Sequence, residues 1–238
     1  LKRLVYIDKV WSRNQDHADR LASRLECESA ESLEDLLNSD IVIVAVTDSS
    51  ISEVGKEWAQ CIRNRTGKTP LIAHTSGNIP SFYLDPDNNG IPYGVIYPLQ
   101  TFTFGRRISL KKVPFFVCGM DTEVQNKLIE LAGLMSDKVY EMGDEERKKL
   151  HLPAVIVNNL VNHLVYLAEE VIISDGLKLE YFIPLMEETN KKISSIGPRE
   201  AQTGPAVRND LEVIEAHLDK LKEHDQLRTV YSLLSKSI

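Results

Sequence analysis

The sequence is poor in cysteine and has no long apolar runs. Its three cysteines, Cys27, Cys61 and Cys118, are odd in number and far apart. Metal knuckles and redox pairs need closely spaced cysteines, so both kinds of site are excluded. This usage predicts a reducing, cytoplasmic location. The longest purely apolar runs fall far short of the roughly 20 residues that a membrane-spanning helix needs, and no secretory signal is recognisable. We therefore expect a soluble protein with no membrane partner.

Positive charge is also scarce. The formal net charge is −7 and the pI is near 5.5, so the chain lacks the basic footprint that phosphate-backbone binding demands. Nucleic acid is therefore not an expected partner. The hydrophobic fraction of 42% over 238 residues is enough to fill one large core or two small ones, which excludes a disordered chain.

Short β-branched runs alternate with amphipathic stretches from residue 1 to residue 142, as in βα units around a parallel sheet. The predicted strands are Leu4–Ile7, Val10–Trp11, Ile41–Val46, Leu71–His74, Gly94–Tyr97, Phe115–Cys118 and Lys138–Glu141. The predicted helices are Gln15–Leu25, Ser32–Leu37, Ser50–Arg63 and Thr122–Met135. Every position of the third predicted strand is apolar, which predicts a central strand covered on both faces.

The strand pattern stops after Gly143, so residues 143–238 are predicted to form an all-α domain behind the α/β domain of residues 1–142. Glu145 to Ser174 contains no glycine and a single proline, Pro153, which predicts one long helix. Further helices are predicted over Lys178–Ser194, Ala206–Glu223 and Gln226–Ser235.

An α/β sheet followed by a helical domain is typical of a dinucleotide-binding enzyme, but the Gly-x-Gly-x-x-Gly loop of such enzymes is missing. None of the 12 glycines is separated from another by a single residue. If Leu4–Ile7 and Val10–Trp11 are parallel strands, they need a crossover of about a dozen residues. We therefore predict that a glycine loop and helix of about 20 to 25 residues are omitted between Ile7 and Asp8. The alternative is one continuous strand from Leu4 to Trp11.

Ser12 and Arg13 stand where NAD-preferring folds place an acidic residue against the ribose 2′-hydroxyl. An arginine with a neighbouring hydroxyl suits the 2′-phosphate of NADP, because guanidinium and phosphate pair bidentately. An exposed turn cation is the alternative. The other cofactor-binding candidates follow two predicted strands and are Val46, Thr47, Asp48, Thr75, Ser76 and Gly77. Asp48 is alternatively only the N-cap of the next helix.

Polar side chains interrupt the apolar long helix at His151, Asn158, Asn159, Asn162, His163 and Tyr166. They form a broad stripe at helical spacing. Because buried amides and imidazoles are costly unless bonded, we expect the stripe to face a wet cleft or a structural hydrogen-bond network. No metal site is predicted, because the two histidines lie about 18 Å apart on a helix and no carboxylate shares the stripe.

A second polar cluster, Gln202 to Asp210, combines a Gly-Pro breaker with a helix start, where free N–H groups favour an anion. Arg208 is a candidate ligand of a substrate carboxylate or a partner of Asp210. The alternative is an ordinary capped helix with a surface arginine.

Six stretches together resemble one family. They are Val10–Arg13, Asp40–Asp48, His74–Gly77, Tyr97–Phe102, Leu150–Leu164 and Gln202–Asp210. The chain resembles bacterial Rossmann-like proteins that are often provisionally labelled oxidoreductases and have a C-terminal helical domain of unknown function. These proteins are similar in layout to pyrroline-5-carboxylate reductase and the deazaflavin-dependent NADP reductases.

The resemblance implies a fold class and a cofactor but no reaction. The fold is α/β, with a Rossmann-type parallel sheet followed by an all-α domain like the C-terminal domain of 6-phosphogluconate dehydrogenase. The cofactor is NADP, and the helical domain is expected to build a homodimer. Related β-hydroxyacid dehydrogenases carry a catalytic lysine four residues before an asparagine, where this chain has Ala154 and Val155. His151 is the nearest titratable replacement.

The leading hypothesis is an NADP-dependent oxidoreductase that transfers a hydride to or from a small carbonyl, imine or hydroxyl substrate between the domains. His151 would exchange the proton, and Asn158, Asn159 and His163 would orient the substrate. The substrate-binding candidates are Gln100, Gln202 and Arg208. The alternative is a non-catalytic, dinucleotide-binding and dimerising scaffold or sensor.

Overall fold

The computed structural model describes residues 5–63, 65 and 67–238. The chain divides into two compact units, residues 1–154 and residues 155–238. The long predicted helix begins at Asp144, close to the domain boundary predicted after residue 142. Its first turns belong to the first unit, because the side chains of Asp144 and Arg147 bond to residues 79–81 of that unit.

The first unit contains two β-sheets. A two-stranded parallel sheet pairs β1 (Lys9–Val10) with β2 (Glu28–Ser29). A five-stranded sheet has the order β3 (Ile41–Val44), β4 (Leu71–His74), β5 (Tyr93–Pro98), β6 (Phe115–Gly119) and β7 (Val139–Glu141). It is parallel except for the antiparallel β5–β6 pair. Residues 99–114 between those strands form turns and irregular structure, without the helix that usually forms the crossover between parallel strands.

Among the described residues β3 lies at the edge of the five-stranded sheet, so the central position predicted for Ile41–Val46 is wrong within that part of the chain. Ile43 is 44% exposed and Val46 is 42% exposed, although their apolar pattern suits a strand with neighbours on both sides. The apolar pattern predicts that these side chains are buried, but it does not predict the position of the strand in the sheet.

Side-chain bonds tie both ends of β1 beside β3. Asp8 before β1 accepts a hydrogen bond from the Ser39 hydroxyl at 3.3 Å, and Arg13 after β1 pairs with Glu53 at 2.5 Å. β1 and β3 nevertheless belong to different sheets. In the part of the chain that the structure describes, no strand pairs with the outer edge of β3.

Val5–Ile7 precedes β1 without regular structure, so the strand predicted over Leu4–Ile7 is wrong for those three residues, and Leu4 lies outside the described residues. The alternative of one strand from Leu4 to Trp11 is also wrong, because strand pairing is confined to Lys9–Val10. The omission of a loop and helix between Ile7 and Asp8 stays a prediction.

Three α-helices precede the long helix: α1 (Gln15–Leu25), α2 (Ile51–Ile62) and α3 (Thr122–Gly133). The bounds of α1 are as predicted, because the Asn14 side chain accepts the His17 N–H at 3.3 Å and Glu26 ends the helix at a φ of 56°. The helix predicted over Ser32–Leu37 is a 3₁₀ turn, Leu33–Leu36. Two more 3₁₀ turns are Asp48–Ser50 and Ser81–Leu84.

Two separate apolar cores cover the five-stranded sheet. Trp58 of α2 packs in one core with Ile72 of β4. Leu128 of α3 packs in the other core with Ala73 of β4 and Val117 of β6. Because successive residues of a strand point to opposite faces, this alternation along β4 shows that helices cover both faces of the sheet.

The predicted long helix spans Asp144–Ser174 in three segments: α4 (Asp144–Val155), a π-helical turn (Ile156–Leu160) and α5 (Val161–Ser174). Pro153 has no N–H to donate, so it interrupts the backbone ladder just before the π turn. This helix has 31 residues and a window of mean hydropathy 1.2, so by length and composition alone it is able to cross a membrane. One helix of this kind is weak evidence for a membrane, and the absence of a membrane partner stays a prediction.

The second unit continues with α6 (Ile183–Ile196), α7 (Pro198–Ala201), α8 (Leu211–Lys220) and α9 (Asp225–Ser237). The helix predicted from Lys178 begins only at Ile183, because a 3₁₀ turn, Leu179–Tyr181, precedes it and proline occupies its first turn. The helix predicted from Ala206 begins at Leu211, after Asp210 caps it.

Many large apolar side chains of the second unit are exposed. Leu167 and Leu221 are buried, whereas Val157, Ile173 and Leu233 are between 66% and 69% exposed. Exposed apolar area on this scale marks an interaction surface in a folded protein.

Candidate functional site

The candidate site is the edge where β3, β4 and β5 end. These strands are parallel, so their carboxyl ends meet at one edge of the sheet. Thr47 and Asp48 follow β3, residues 75–77 follow β4, and Tyr97 lies at the end of β5. Ligands of open α/β sheets bind at this edge.

His74, the last residue of β4, anchors the loop that follows. It is fully buried, and its Nδ1 accepts the N–H of Ser76 at 3.1 Å. Its Nε2 therefore carries the proton and donates to the carbonyl of Pro80 at 3.3 Å. Burial, followed by the nearby cation of Arg147, lowers the pKa of His74 from 6.5 to about 4. A neutral imidazole thus holds loop 75–80 at two points.

Gly77 lies against Tyr97 and His151. An added Cβ at Gly77 would lie 2.6 Å from Tyr97 Cζ and 2.7 Å from His151 Nδ1, so the close approach requires glycine. The Tyr97 hydroxyl is 3.4 Å from His151 Nδ1, and the two rings meet edge to face with centroids 6.2 Å apart. The structure therefore brings two predicted site residues together, one from the loop after β4 and one from α4.

Arg147 and Asp144 fix the start of α4 beside this loop. Arg147 is fully buried, pairs with Asp144 at 2.9 Å and donates to the carbonyl of Ile79. The other oxygen of Asp144 accepts the N–H and the hydroxyl of Ser81 at 2.9 and 3.0 Å. These bonds join α4 to residues 79–81 and place His151, one helical turn after Arg147, against Tyr97.

Arg13, which is predicted to bind the cofactor, forms an ion pair within the protein. Its guanidinium pairs with Glu53 at 2.5 Å, and both side chains are at least half exposed. The hydrogen bond to Glu53 raises the pKa of Arg13. The neighbouring Ser12 hydroxyl accepts the N–H of Asn14 at 3.3 Å. An incoming phosphate would compete with Glu53 for the Arg13 guanidinium.

Val46, Thr47 and Asp48 are exposed after β3. The Thr47 hydroxyl lies 3.3 and 3.2 Å from the hydroxyls of Ser49 and Ser50. Asp48 opens a 3₁₀ turn, and α2 begins after Ser50. The alternative assignment of Asp48 as only the N-cap of α2 is therefore wrong.

These residues fit part of a dinucleotide. Hydroxyls and one exposed guanidinium follow β1, β3 and β4, where ribose and 2′-phosphate groups bind in such folds. The 238 residues contain no Gly-x-Gly loop for the pyrophosphate. In the strand order 3-2-1-4-5-6, the strand that leads into that loop occupies the position next to β3 at which the described residues place no strand. The fit therefore covers the two ends of the dinucleotide and not its centre.

Asn158, Asn159 and His163 belong to the second unit and are exposed. Asn158 Nδ2 is 3.5 Å from Asn159 Oδ1 in the π turn, and the His163 ring stacks on Tyr166. A π turn changes the hydrogen-bond register of the helix, so the α-helical spacing behind the predicted polar stripe does not run through it. Among the described residues, no group of three potential metal ligands occurs.

Gln100, Gln202 and Arg208 are exposed as well. Gln100 Oε1 accepts the N–H of Thr101 at 2.8 Å, and Gln202 Nε2 donates to the carbonyl of Thr203 at 3.2 Å. These two bonds are local. Within the described chain Arg208 forms no ion pair with Asp210, whose side chain caps α8, so that alternative is wrong.

Sequence reasoning missed Asp144 and Arg147, and it included Tyr97 only as part of a longer stretch. A usable signal exists in the spacing of Asp144, Arg147 and His151, which places all three on one face of α4.

Residues 113–238 match the family model described as "Domain of unknown function (DUF2520)". The chain belongs to the DUF2520 family. A structure from Bacteroides fragilis with the provisional name NADP oxidoreductase has 34% sequence identity and a TM-score of 0.88, and the match covers 100% of this chain and 90% of that chain. No curated protein matches the sequence.

Two more distant structures share the fold of this DUF2520 protein. The imine reductase from Myxococcus stipitatus in complex with NADP⁺ has 15% identity and a TM-score of 0.68, covering 99% of this chain and 86% of that chain. A pyrroline-5-carboxylate reductase from Coxiella burnetii has 15% identity and a TM-score of 0.52, covering 95% and 86%. The predicted Rossmann-type α/β fold with a C-terminal helical domain is confirmed.

Proposed function

We propose that this DUF2520 protein is an NADP-dependent oxidoreductase acting on a small carbonyl, imine or hydroxyl substrate. The observation that carries the proposal is the contact of His151 with Gly77 and Tyr97 at the carboxyl edge of the sheet. A titratable group thus stands where open α/β sheets bind their ligands. The name of the Bacteroides fragilis relative supports the same class of reaction.

The cofactor supplies the hydride, and the residues of this chain bind and orient it. Ser12 and Arg13 would hold the 2′-phosphate, because a guanidinium and a hydroxyl suit that group. Val46, Thr47 and Asp48 after β3, and residues 75–77 after β4, would border the sugar and ring at the other end. Preference for NADP over NAD rests on these two residues, Ser12 and Arg13.

His151 would exchange the proton that accompanies hydride transfer. In reduction, its imidazolium form gives a proton from Nε2 to the oxygen or nitrogen of the substrate and becomes neutral; in oxidation the proton returns. Asn158, Asn159 and His163 keep their predicted role in orienting the substrate, and Gln100, Gln202 and Arg208 their predicted role in binding it.

A screen of small ketones, aldehydes and cyclic imines, followed by NADPH absorbance, tests this function. We expect turnover with at least one class, and a loss of about 10²-fold or more in kcat for His151→Asn. His17→Asn, a change at an exposed histidine of α1, is the matched control and should keep full activity. Turnover that survives in the His151 variant would remove the proposed proton-exchange role.

A non-catalytic scaffold is the second candidate, favoured by the exposed apolar surface of the second unit. Calorimetry distinguishes the two functions. Binding of NADPH with no turnover of any substrate supports the scaffold, whereas turnover excludes it.

We also propose that the helical unit forms a homodimer. Val157, Ile173 and Leu233 are each about two-thirds exposed, and a second copy would bury such side chains. We expect a dimer in light scattering, with Val157→Lys weakening it and Glu188→Lys, an exposed polar position of α6, leaving it intact. A monomer, or partition of the wild type into detergent or vesicles, would contradict the proposal.

A further inference from the structure

Tyr97 is a largely buried residue whose hydroxyl lies at the proposed proton-exchange site. Its ring packs with Val95 and Phe116 in a small apolar cluster, and the residue is 9% exposed. Its centroid lies 6.4 Å from that of Phe116 and 6.2 Å from that of His151. The ring is therefore held by packing on one side and reaches the imidazole on the other.

The Tyr97 hydroxyl has a single hydrogen-bond partner within the described residues, His151 Nδ1, at 3.4 Å. Burial raises the pKa of Tyr97, so the phenol stays neutral and its oxygen is able to accept a hydrogen bond. An imidazolium that gives its proton from Nε2 keeps the other proton on Nδ1. Proton exchange at Nε2 therefore requires that Nδ1–H of His151 donates to the Tyr97 oxygen.

We propose that Tyr97 is a positioning residue that occupies Nδ1 of His151 in every protonation state. The hydroxyl oxygen accepts from Nδ1–H both in the imidazolium and in the neutral ring that remains after Nε2 has released its proton. Proton exchange with a substrate is thereby confined to Nε2. The catalytic meaning of this arrangement rests on the proposed function, whereas the hydrogen bond itself does not.

Gly77 makes the arrangement possible. A Cβ at this position would lie 2.9 Å from the Tyr97 hydroxyl oxygen as well as 2.7 Å from His151 Nδ1. Any side chain would therefore force the two hydrogen-bonding atoms to move. The loop after β4, anchored through His74, so contributes the space in which the bond forms.

Nitrogen-15 NMR of the histidine side chains tests the hydrogen bond without substrate or cofactor. In the wild type we expect the neutral His151 ring to carry its proton on Nδ1 and to show a hydrogen-bonded Nδ1 resonance. Tyr97→Phe keeps the ring and removes the hydroxyl, so the Nδ1 resonance should move toward that of free imidazole. Tyr140→Phe is the control, because the Tyr140 ring also contacts Phe116 but makes no described bond to histidine.

Unchanged His151 resonances in Tyr97→Phe, or a neutral wild-type ring protonated on Nε2, would overturn the inference; the second outcome needs no variant. With an active substrate, Tyr97→Phe should lower kcat by about tenfold at unchanged KM for NADPH. If the NMR shift occurs but His151→Asn stays active, the proposed function fails while the positioning role stands.

Discussion

The buried histidine that anchors loop 75–80 predicts a specific loss of stability in mild acid. His74 is fully buried with both ring nitrogens bonded, and its pKa is about 4 in the folded protein against 6.5 as the reference value. Between those values the unfolded chain binds a proton that the folded chain refuses. Stability is therefore complete above pH 6.5 and is lost as the pH falls toward 4.

The magnitude follows from the two pKa values. A difference of about 2.5 pH units, at 1.36 kcal/mol per unit, gives a total loss of about 3 kcal/mol. Between pH 7 and pH 5 the same linkage gives a loss of about 2 kcal/mol. This is a sizeable fraction of the 5–15 kcal/mol of a typical domain.

Urea unfolding at pH 7 and pH 5, for the wild type and for His74→Asn, measures the effect. Asparagine offers an acceptor for the Ser76 N–H but has no proton to gain, so the variant should be less stable at pH 7 and lose about 2 kcal/mol less on acidification. The carboxyls of Asp35 and Asp40, whose pKa values are lowered by a backbone N–H and by Lys68 respectively, act below pH 4 and lie outside this window.

Two controls sharpen that experiment. The difference between the two proteins should be constant from pH 7 to pH 8, where His74 is neutral in both the folded and the unfolded state. Unfolding slopes in urea should not change with pH, because a change would report an altered denatured state. Parallel losses in the wild type and in His74→Asn between pH 7 and pH 5 would refute the reasoning.

Two other predictions concern the site. Gly77→Ala places a methyl group against Tyr97 and His151. We expect the free energy of unfolding to fall by about 1–3 kcal/mol and turnover to be lost. Unchanged thermal unfolding would contradict the close contact at Gly77. Glu53→Gln frees Arg13 from its exposed ion pair. Calorimetry should then show NADPH bound up to about fivefold more tightly, with the affinity for NADH unchanged. Equal gains in affinity for both cofactors would show that Arg13 does not bind the 2′-phosphate.

Local signals made part of this fold predictable from the sequence. The bounds of α1 follow from a side-chain cap at Asn14 and a left-handed residue at Glu26, both of which act over a few neighbouring residues. The position of β3 was not predictable in the same way. Its apolar run indicates burial, but the identity of its neighbours depends on which other strands the chain supplies.

Some residues of the candidate site were also predictable from the sequence, and others were not. Gly77 and His151 were predicted from residue type and position, and the structure places them in contact. Their contact through Tyr97 joins β4, β5 and α4, elements far apart in sequence. Residue spacing within one element cannot predict a contact between elements, so the contact of Tyr97 with His151 became evident only from the structure.

Arg147 shows that a buried, structurally important arginine is hard to recognise within a run of charged residues. It stands in Asp-Glu-Glu-Arg-Lys-Lys, which has the composition of a solvated helix face, yet it is fully buried against Asp144 and the Ile79 carbonyl. Nη2 makes both of these contacts, whereas Nε and Nη1 have no hydrogen-bond partner among the described residues, so pairing offsets only part of the cost of burying the guanidinium. Extending the polar spacing of His151 backwards by four and seven residues reaches Arg147 and Asp144. One face of α4 thus carries the pair that anchors the helix and, one turn later, the imidazole proposed to exchange the proton, so a change at either anchor should displace His151 without touching it.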